Sequence, residues 1–320
     1  MNFVTNIIGD ELKTFEKKFT EAVRSQTPTL DRIMKYIIKR KGKQLRPMFV
    51  FLSAKLHAPI NESTYRGAAL VEILHTATLV HDDVVDDSIE RRGFFSVYAL
   101  WKNKASVLVG DYLLAKGLLL SLEHDDFQIL KYLSDAVRQM SEGELLQMEK
   151  SRSLNLDENV YFEIIKSKTA SLLASACAAG AWSTSHDADV SERMRAFGEK
   201  VGIAFQIKDD LFDYASQDIG KPTGNDIKEK KLTLPLIYTL NNVDKETKRK
   251  LIYIVKNENT RKAKVQYVID AVEKNGGIDY TNQKMAGYKK QAIDLLHFFP
   301  ASDIRDGFEE LVNFVTDRKY

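Results

Sequence analysis

The sequence predicts an all-α protein, because its long apolar stretches have a helical period and few residues interrupt them. Six prolines and 16 glycines in 320 residues leave many segments unbroken. Apolar residues recur in those segments at spacings of three and four, which is the period of an amphipathic helix. There is no internal repeat and no linker rich in Pro, Gly and Ser, so we expect a single helical domain over residues 1–320.

The predicted helices can be placed in chain order. An apolar run over residues 68–80 leads into an acidic sequence that starts at Asp82. Four more helices are predicted, over residues 105–122, 127–150, 160–183 and 191–214. Small side chains cover every face of residues 169–179, which allows close approach of neighbouring helices. Residues 217–231 are predicted to form a polar loop, and residues 257–264 a surface connection.

Composition limits the cellular context. The chain has 47 Lys and Arg residues against 45 Asp and Glu residues, and this net charge of +2 gives no argument for a nucleic-acid partner. Cys177 is the single cysteine and fits a reducing cytoplasm. Residues 105–122 contain Asp111 and Lys116, so we predict a core helix there and no integral membrane segment. The charged N-terminus is unlike a signal or transit peptide, and we expect the mature protein to begin there.

Two acidic motifs end predicted apolar helices. Asp82 and Asp86 are four residues apart, so they project from one helix face and repel each other unless a cation lies between them. Asp209, Asp210 and Asp213 repeat this pattern after a second apolar helix. Either motif alone could be a solvated helix end. The repetition favours a metal site.

Magnesium is the metal that this pattern favours, because it prefers oxygen ligands and bridges to substrate phosphates. Bound there, it would act as a Lewis acid on a departing diphosphate. The cations that such a substrate needs lie near the motifs or beside glycines: Lys43, Arg46, Arg91, Arg92, Lys168, Lys221 and Lys231. Residues 220–224 lack the full P-loop pattern and follow no predicted strand, so a nucleotide loop is excluded.

From about residue 41 to residue 240 the chain resembles the trans-isoprenyl diphosphate synthases, the polyprenyl synthetase family. Six motifs occur in family order: Gly42-Lys43-Gln44-Leu45-Arg46-Pro47, His75 to His81 before Asp82, Arg91-Arg92-Gly93, Lys168-Thr169, Phe205-Gln206 before Asp209, and Gly220-Lys221 through Lys231. The resemblance implies an antiparallel helical bundle around a central cavity, a homodimer, and aspartate motifs on opposite cavity walls.

The implied reaction is the magnesium-dependent, head-to-tail 1′-4 condensation of isopentenyl diphosphate with an allylic diphosphate. Loss of diphosphate from the allylic primer, farnesyl or geranylgeranyl diphosphate, leaves a cation. The double bond of isopentenyl diphosphate attacks this cation, and loss of a proton gives a trans-polyprenyl diphosphate. Apolar helices would keep water from the cation.

The resemblance also implies residue roles. Asp82, Asp86 and Asp209 would bind three magnesium ions together with the substrate diphosphate, supported by Asp83, Asp210 and Asp213. The diphosphate of isopentenyl diphosphate would be held by Lys43, Arg46, His75 and Arg92. The allylic diphosphate would be held by Arg91, Lys168, Lys221 and Lys231, while Thr169 and Gln206 would steady the cation.

Product length is predicted from the residues four and five positions before Asp82, where bulky side chains stop the growing chain in this family. They are Thr78 and Ala77 here, and the flanking sequence resembles hexaprenyl, heptaprenyl and octaprenyl diphosphate synthases. A geranylgeranyl diphosphate synthase, a class I terpene cyclase and one subunit of a heteromeric synthase are the alternatives. A long apolar product would also favour peripheral contact with a membrane.

Overall fold

The computed structural model confirms the predicted all-α class. It describes residues 2–40, 42–91, 93–153, 157–214 and 224–317. Within these residues the only strands are the antiparallel pair β1 (Glu90–Arg91) and β2 (Phe94–Phe95). The helices are α1 (Asn2–Ala22), α2 (Pro28–Lys39), α3 (Leu45–Lys55), α4 (Glu62–Val85), α5 (Val97–Leu122), α6 (Phe127–Ser153), α7 (Glu158–Ile165), α8 (Ser171–Ser185), α9 (Ala188–Phe212), α10 (Asn225–Lys228), α11 (Leu234–Asn242), α12 (Lys245–Asn257), α13 (Lys262–Lys274), α14 (Gly277–Leu296) and α15 (Asp303–Asp317).

The chain divides into two compact units. Unit 1 comprises Met1–Arg138, Leu172–Gly198 and Leu296–Leu311. Unit 2 comprises Gln139–Ser171, Glu199–Leu295 and Val312–Tyr320. The expectation of a single domain over residues 1–320 stays a prediction, and each unit is described separately.

The first acidic motif lies at the end of α4 in unit 1. Asn61 begins this helix with a capping box, in which its side chain accepts a hydrogen bond from the Thr64 amide and Thr64 Oγ1 accepts one from the Asn61 amide. The helix ends at Val85, because Asp87 adopts a left-handed conformation (φ 48°) and the Ser88 amide donates back to the Asp83 carbonyl. This end fixes the direction in which the acidic side chains project.

Helix α5 of unit 1 packs on α4 along one face only. Val109 and Leu113 are buried on that face, whereas Leu108 and Leu119 expose 68% and 50% of their surface. The prediction of a core helix over residues 105–122 is therefore correct for one face and wrong for the other. By length and composition alone, α5 is also the one helix among the described residues that could cross a membrane, with a third of its apolar window buried.

Unit 2 is built on an apolar cluster shared by α7, α9, α11, α12 and α13. Ile207, Leu236, Leu251 and Val268 are all fully buried in it. These helices enclose the second acidic motif, which ends α9 as the sequence predicts. The predicted surface connection at residues 257–264 is confirmed as the short segment between α12 and α13.

The helix predicted over residues 160–183 differs from the structure. It consists of α7, a π-helical turn (Lys166–Ala170) and α8, with the Ser171 amide bonded to the Lys166 carbonyl five residues earlier. Two glycines let neighbouring helices reach this turn. A Cβ atom on Gly143 of α6 would lie 2.8 Å from Ser167 Cβ, and one on Gly202 of α9 would lie 2.6 Å from Ala170 Cα. The sequence shows no breaker here, so periodicity alone could not predict the turn.

Candidate active site

In unit 1, α4 presents His75, Asp82 and Asp86 in line. His75 and Asp82 are seven residues apart, about two helical turns, so they share a face. Asp86 caps the helix, and its amide donates to the Asp82 carbonyl at 2.8 Å. His75 is buried, while Asp82 is half-buried and Asp86 exposed. The two carboxylates therefore lie at the accessible end of a buried helix.

Asp83 is held differently, by an arginine from the strand pair. Arg91 Nε donates to Asp83 Oδ1 at 2.6 Å, and the Asp83 side chain is 3% exposed. Burial raises the pKa of Asp83, and the Arg91 guanidinium opposes that rise. The predicted supporting role of Asp83 fits this contact. Arg91, which the family resemblance assigns to the allylic diphosphate, is engaged with the first aspartate motif in this structure.

The predicted cations of unit 1 include Lys43 and Arg46, at the start of α3. Gln44 adopts a left-handed conformation (φ 53°) as the N-cap of this helix. This turn leaves Lys43 exposed and Arg46 half-buried in the first helical turn. Arg92 lies outside the described residues.

In unit 2 the second acidic motif is tied into a hydrogen-bond chain. Tyr161 Oη donates to Asp210 Oδ2 at 2.6 Å, and Gln206 Nε2 donates to Asp210 Oδ1 at 2.8 Å. Thr169 Oγ1 donates to Gln206 Oε1 at 2.8 Å. Burial raises the pKa of Asp210 to about 6, although both donors oppose the rise. The predicted residues Thr169, Gln206 and Asp210 are thus brought into one network.

Asp213 and Asp226 extend the acidic group. Asp213 accepts hydrogen bonds from the backbone amides of Asn225 (2.7 Å) and Asp226 (3.0 Å), so its carboxylate caps α10. Burial, together with the nearby Asp210 and Asp213 carboxylates, raises the pKa of Asp226 to about 7. Protonation or a nearby cation would relieve the repulsion between these carboxylates.

Lys168 projects from the π-helical turn. Its Nζ lies 2.5 Å from Glu144 Oε2 and 3.5 Å from Gln147 Oε1, both on α6. Lys231 Nζ pairs with Glu229 Oε2 at 2.5 Å. π-Helical turns are frequent at functional sites, because the extra residue redirects the side chains that follow.

Several of these side chains line a cavity of about 130 Å³ in unit 2. Its wall brings together five predicted site residues: Lys168, Thr169, Gln206, Asp210 and Lys231. Asp209 lies near the end of α9 and is half-buried. Lys221 lies outside the described residues. The cavity combines cations that can hold an anionic group with apolar side chains such as Ile164 and Leu232.

The sequence analysis missed three members of this site. Tyr161 looks like an ordinary core aromatic of a predicted helix, and Asp226 lies in a segment predicted to be a solvated loop. Glu144 belongs to α6, which carries none of the recognised motifs. Only the seven-residue spacing from Tyr161 to Lys168, which would put both on one face of the continuous helix predicted over residues 160–183, could have indicated the first of them.

The donor set fits magnesium in its chemistry. All the acidic side chains supply hard oxygen ligands, which Mg²⁺ prefers. No group of three or more His, Cys, Asp or Glu side chains within the described ranges is arranged to hold an ion. Mg²⁺ is usually bound through one or two carboxylates and completes its coordination with water and substrate phosphates.

The comparisons with known proteins agree on one family. A family model described as polyprenyl synthetase matches residues 27–272. An all-trans-nonaprenyl-diphosphate synthase (geranyl-diphosphate specific) of Rhodobacter capsulatus is 32% identical over 314 residues, which cover 97% of this chain and 96% of the relative.

Two solved structures show the same fold over nearly the whole chain. A polyprenyl synthase of Caulobacter crescentus CB15, complexed with calcium and isoprenyl diphosphate, has a TM-score of 0.91 and 34% identity, covering 100% of this chain and 98% of that one. A geranylgeranyl pyrophosphate synthase of Bacteroides thetaiotaomicron has a TM-score of 0.84 and 36% identity, covering 99% and 98%.

Proposed function

The chain belongs to the polyprenyl synthetase family, and we propose that it condenses isopentenyl diphosphate with an allylic diphosphate to make a trans-polyprenyl diphosphate. The observation that carries this proposal is the composition of the unit 2 cavity. The side chains of Lys168, Thr169, Gln206, Asp210 and Lys231 all line it. Two cations suit a diphosphate, and the apolar lining suits a chain that must react away from water.

Magnesium is proposed as the metal, with three ions bound at Asp82, Asp86 and Asp209. When bound, it would stabilise the negative charge of the departing diphosphate. Asp83, Asp210 and Asp213 are proposed as supports, because each has a donor from the protein: Arg91, Tyr161 and the first amides of α10. These three carboxylates would fix the conformation of the motifs, while Asp82, Asp86 and Asp209 would bind the ions.

The remaining roles follow from charge and position. Lys168 and Lys231 would hold the allylic diphosphate with Arg91 and Lys221, and Glu144 fixes the Lys168 ammonium group within the site. Lys43, Arg46, His75 and Arg92 would hold isopentenyl diphosphate. The Thr169 hydroxyl and the Gln206 amide present dipoles beside the cavity, where they would stabilise the developing cation.

A medium or long product is proposed because small residues precede the first motif. Ala77 is fully buried, and the Thr78 hydroxyl donates to the His75 carbonyl of its own helix at 2.9 Å. Both side chains are small, which would leave room for a growing chain. The nonaprenyl synthase relative supports a long product. A geranylgeranyl product is the second candidate, supported by the 36% identical structure.

A homodimer through α5 is proposed from its exposed apolar face. Leu108, Leu119 and Leu122 expose 68%, 50% and 49% of their surface. The eleven residues from Leu108 to Leu119 make about three turns, so both side chains lie on one line along the helix. A second copy of the same face is the self-complementary partner that two-fold dimers use.

We propose a cytoplasmic location with peripheral contact to anionic membranes through a basic face on α12 and α13. This basic face consists of Arg249, Lys250, Tyr253 and Lys256 of α12 with Tyr267 of α13. The two tyrosines expose 58% and 37% of their surface, and Lys250 Nζ lies 4.2 Å from the centre of the Tyr267 ring. Exposed cations beside tyrosines suit anionic headgroups, which contribute roughly 1 kcal/mol per Lys or Arg.

The reaction is tested by incubating the purified chain with Mg²⁺, isopentenyl diphosphate and farnesyl or geranylgeranyl diphosphate, and sizing the products by chromatography. Elongation that stops when EDTA removes the metal is expected. Asp82→Ala should lower kcat by ~100-fold or more, because Lewis-acid stabilisation is worth several kcal/mol. Asp10→Ala, which removes a carboxylate of unit 1 that is 94% exposed, is the control. Near-normal condensation by Asp82→Ala would show that the metal role is wrong.

Product length is tested with Ala77→Tyr and Thr78→Tyr. If a growing chain passes these residues, a phenol ring will enter its path and the longest product will shorten by several five-carbon units. The melting temperature of each variant is measured as well. A ring that fits into open space will lower the stability of the fold little, whereas overpacking a filled core lowers it by ~1–3 kcal/mol. Unchanged product length from two folded variants would contradict the assignment.

The dimer is tested by sedimentation of the double variant Leu108→Lys, Leu119→Lys. The wild type should sediment as a dimer and the variant as a monomer, because buried lysines have no partner across a symmetric apolar interface. Phe298→Lys, at a side chain 66% exposed, is the control and should stay dimeric. A monomeric wild type, or a dimeric double variant, would rule out the α5 interface.

Membrane contact is tested by co-sedimentation with vesicles. Binding to anionic vesicles is expected at low salt, with loss at high salt. The double variant Arg249→Glu, Lys256→Glu should bind at least ~10-fold more weakly, since the charge term scales with the number of cations. Lys131→Glu, on exposed α6 surface, is the matched control. Equal binding to neutral vesicles would contradict the charge argument.

A further inference from the structure

We propose that Tyr161 is a positioning residue of the reaction: its hydroxyl group fixes the Asp210 carboxylate and, through it, the Gln206 amide at the cavity wall. This inference rests on the proposed function. Tyr161 has no part in the motifs that identify the family, and it acts here through two other side chains.

The contact with Asp210 is short and closed to solvent. Tyr161 and Asp210 expose only 4% and 6% of their surface, and the hydroxyl-to-carboxylate distance is 2.6 Å. Gln206 bonds the other carboxylate oxygen at 2.8 Å. Each oxygen of Asp210 therefore accepts a hydrogen bond from a different element, Tyr161 from α7 and Gln206 from α9. A carboxylate held at both oxygens cannot rotate without breaking one of the bonds.

Gln206 is oriented in turn by what lies at each end of its amide. Its nitrogen donates to Asp210, and its oxygen accepts from Thr169 Oγ1 at 2.8 Å. An amide turned by half a revolution would place its oxygen against the Asp210 carboxylate, so that two acceptors would face each other. The Asp210 carboxylate thus decides which end of Gln206 faces Thr169, and Tyr161 holds that carboxylate in place.

The phenol ring alone would satisfy the packing of α7. Tyr161 lies against Phe162 edge-on, with ring centres 5.3 Å apart, and a phenylalanine would keep this contact. Packing therefore does not require the hydroxyl group, whose contribution is the hydrogen bond to Asp210. Without it, Asp210 Oδ2 stays buried with one donor fewer, and the carboxylate can rotate away from Gln206.

Tyr161→Phe tests this role against Tyr280→Phe. The control removes a chemically matched bond on the same helix, since Tyr280 Oη donates to the Glu158 carboxylate of α7 at 2.6 Å. We expect Tyr161→Phe to lower kcat by ~10–100-fold, the range of a lost hydrogen bond to a charged group, with KM for both substrates within about 2-fold. Tyr280→Phe should keep kcat within about 2-fold of the wild type.

A double-mutant cycle with Gln206→Ala shows whether Tyr161 acts through Gln206. In the Gln206→Ala background, Tyr161→Phe should change kcat by less than ~3-fold, because the side chain that it positions is gone. The same cycle in melting temperature, without substrate or metal, should also be non-additive. Simple helix destabilisation would instead give additive losses.

Three results would overturn the inference. They are an unchanged kcat in Tyr161→Phe, an equal loss in Tyr280→Phe, and a full additional loss in the Gln206→Ala background. If the first result comes with a lower melting temperature, the hydroxyl serves stability alone. Failure of the proposed function is distinguishable, because it appears as an inactive wild-type protein.

Discussion

Repulsion between neighbouring carboxylates is the constraint on which both acidic motifs depend. Each motif places several carboxylates within a few residues, where like charges destabilise a helix end. The structure relieves this by giving the buried members fixed donors: Arg91 for Asp83, Tyr161 and Gln206 for Asp210, and backbone amides for Asp213. Carboxylates bound in this way keep their positions when no cation is present. The motifs therefore divide into members that build the site and members that can turn toward a ligand.

Two glycines let neighbouring helices approach the π-helical turn closely. Gly143 of α6 and Gly202 of α9 each contact the π-helical turn where a methyl group would collide with it. This turn carries Lys168 and Thr169, so the backbone packing sets the positions of two proposed substrate-binding side chains. A larger residue at either glycine would displace the turn. Chemistry and packing are linked here through the backbone.

Much of this could be predicted from the sequence, and the part that could not has a physical reason. The helical period gave the fold class and placed both motifs at helix ends, since burial of one helix face leaves a strong pattern. The π-helical turn, the contact of Asp83 with Arg91 and the partial burial of Asp226 depend on contacts between distant segments. No local pattern distinguishes Asp226, which is half-buried and has a raised pKa, from the exposed Glu229 and Lys230 close to it. The exposure of one face of α5 could not be predicted either, because an apolar helix has the same sequence pattern whether a core or a partner protein covers it.

Charge shows the same dependence on position. A net charge of +2 describes the average, yet exposed cations gather around two tyrosines on α12 and α13 while α5 presents leucines. The net charge of the whole chain therefore does not exclude a local surface that could bind a lipid or another subunit.

Product length is the property least tied to the reacting groups. Cation formation needs carboxylates and donors at set distances, and these are the same for a short or a long product. Chain length depends on the volume beyond them, which we propose is set by small side chains such as Ala77. Overall identity does not separate the two cases, since a geranylgeranyl synthase is 36% identical and a nonaprenyl synthase 32% identical to this chain. Selection on product length can thus act on packing while the electrostatics of the site stays unchanged.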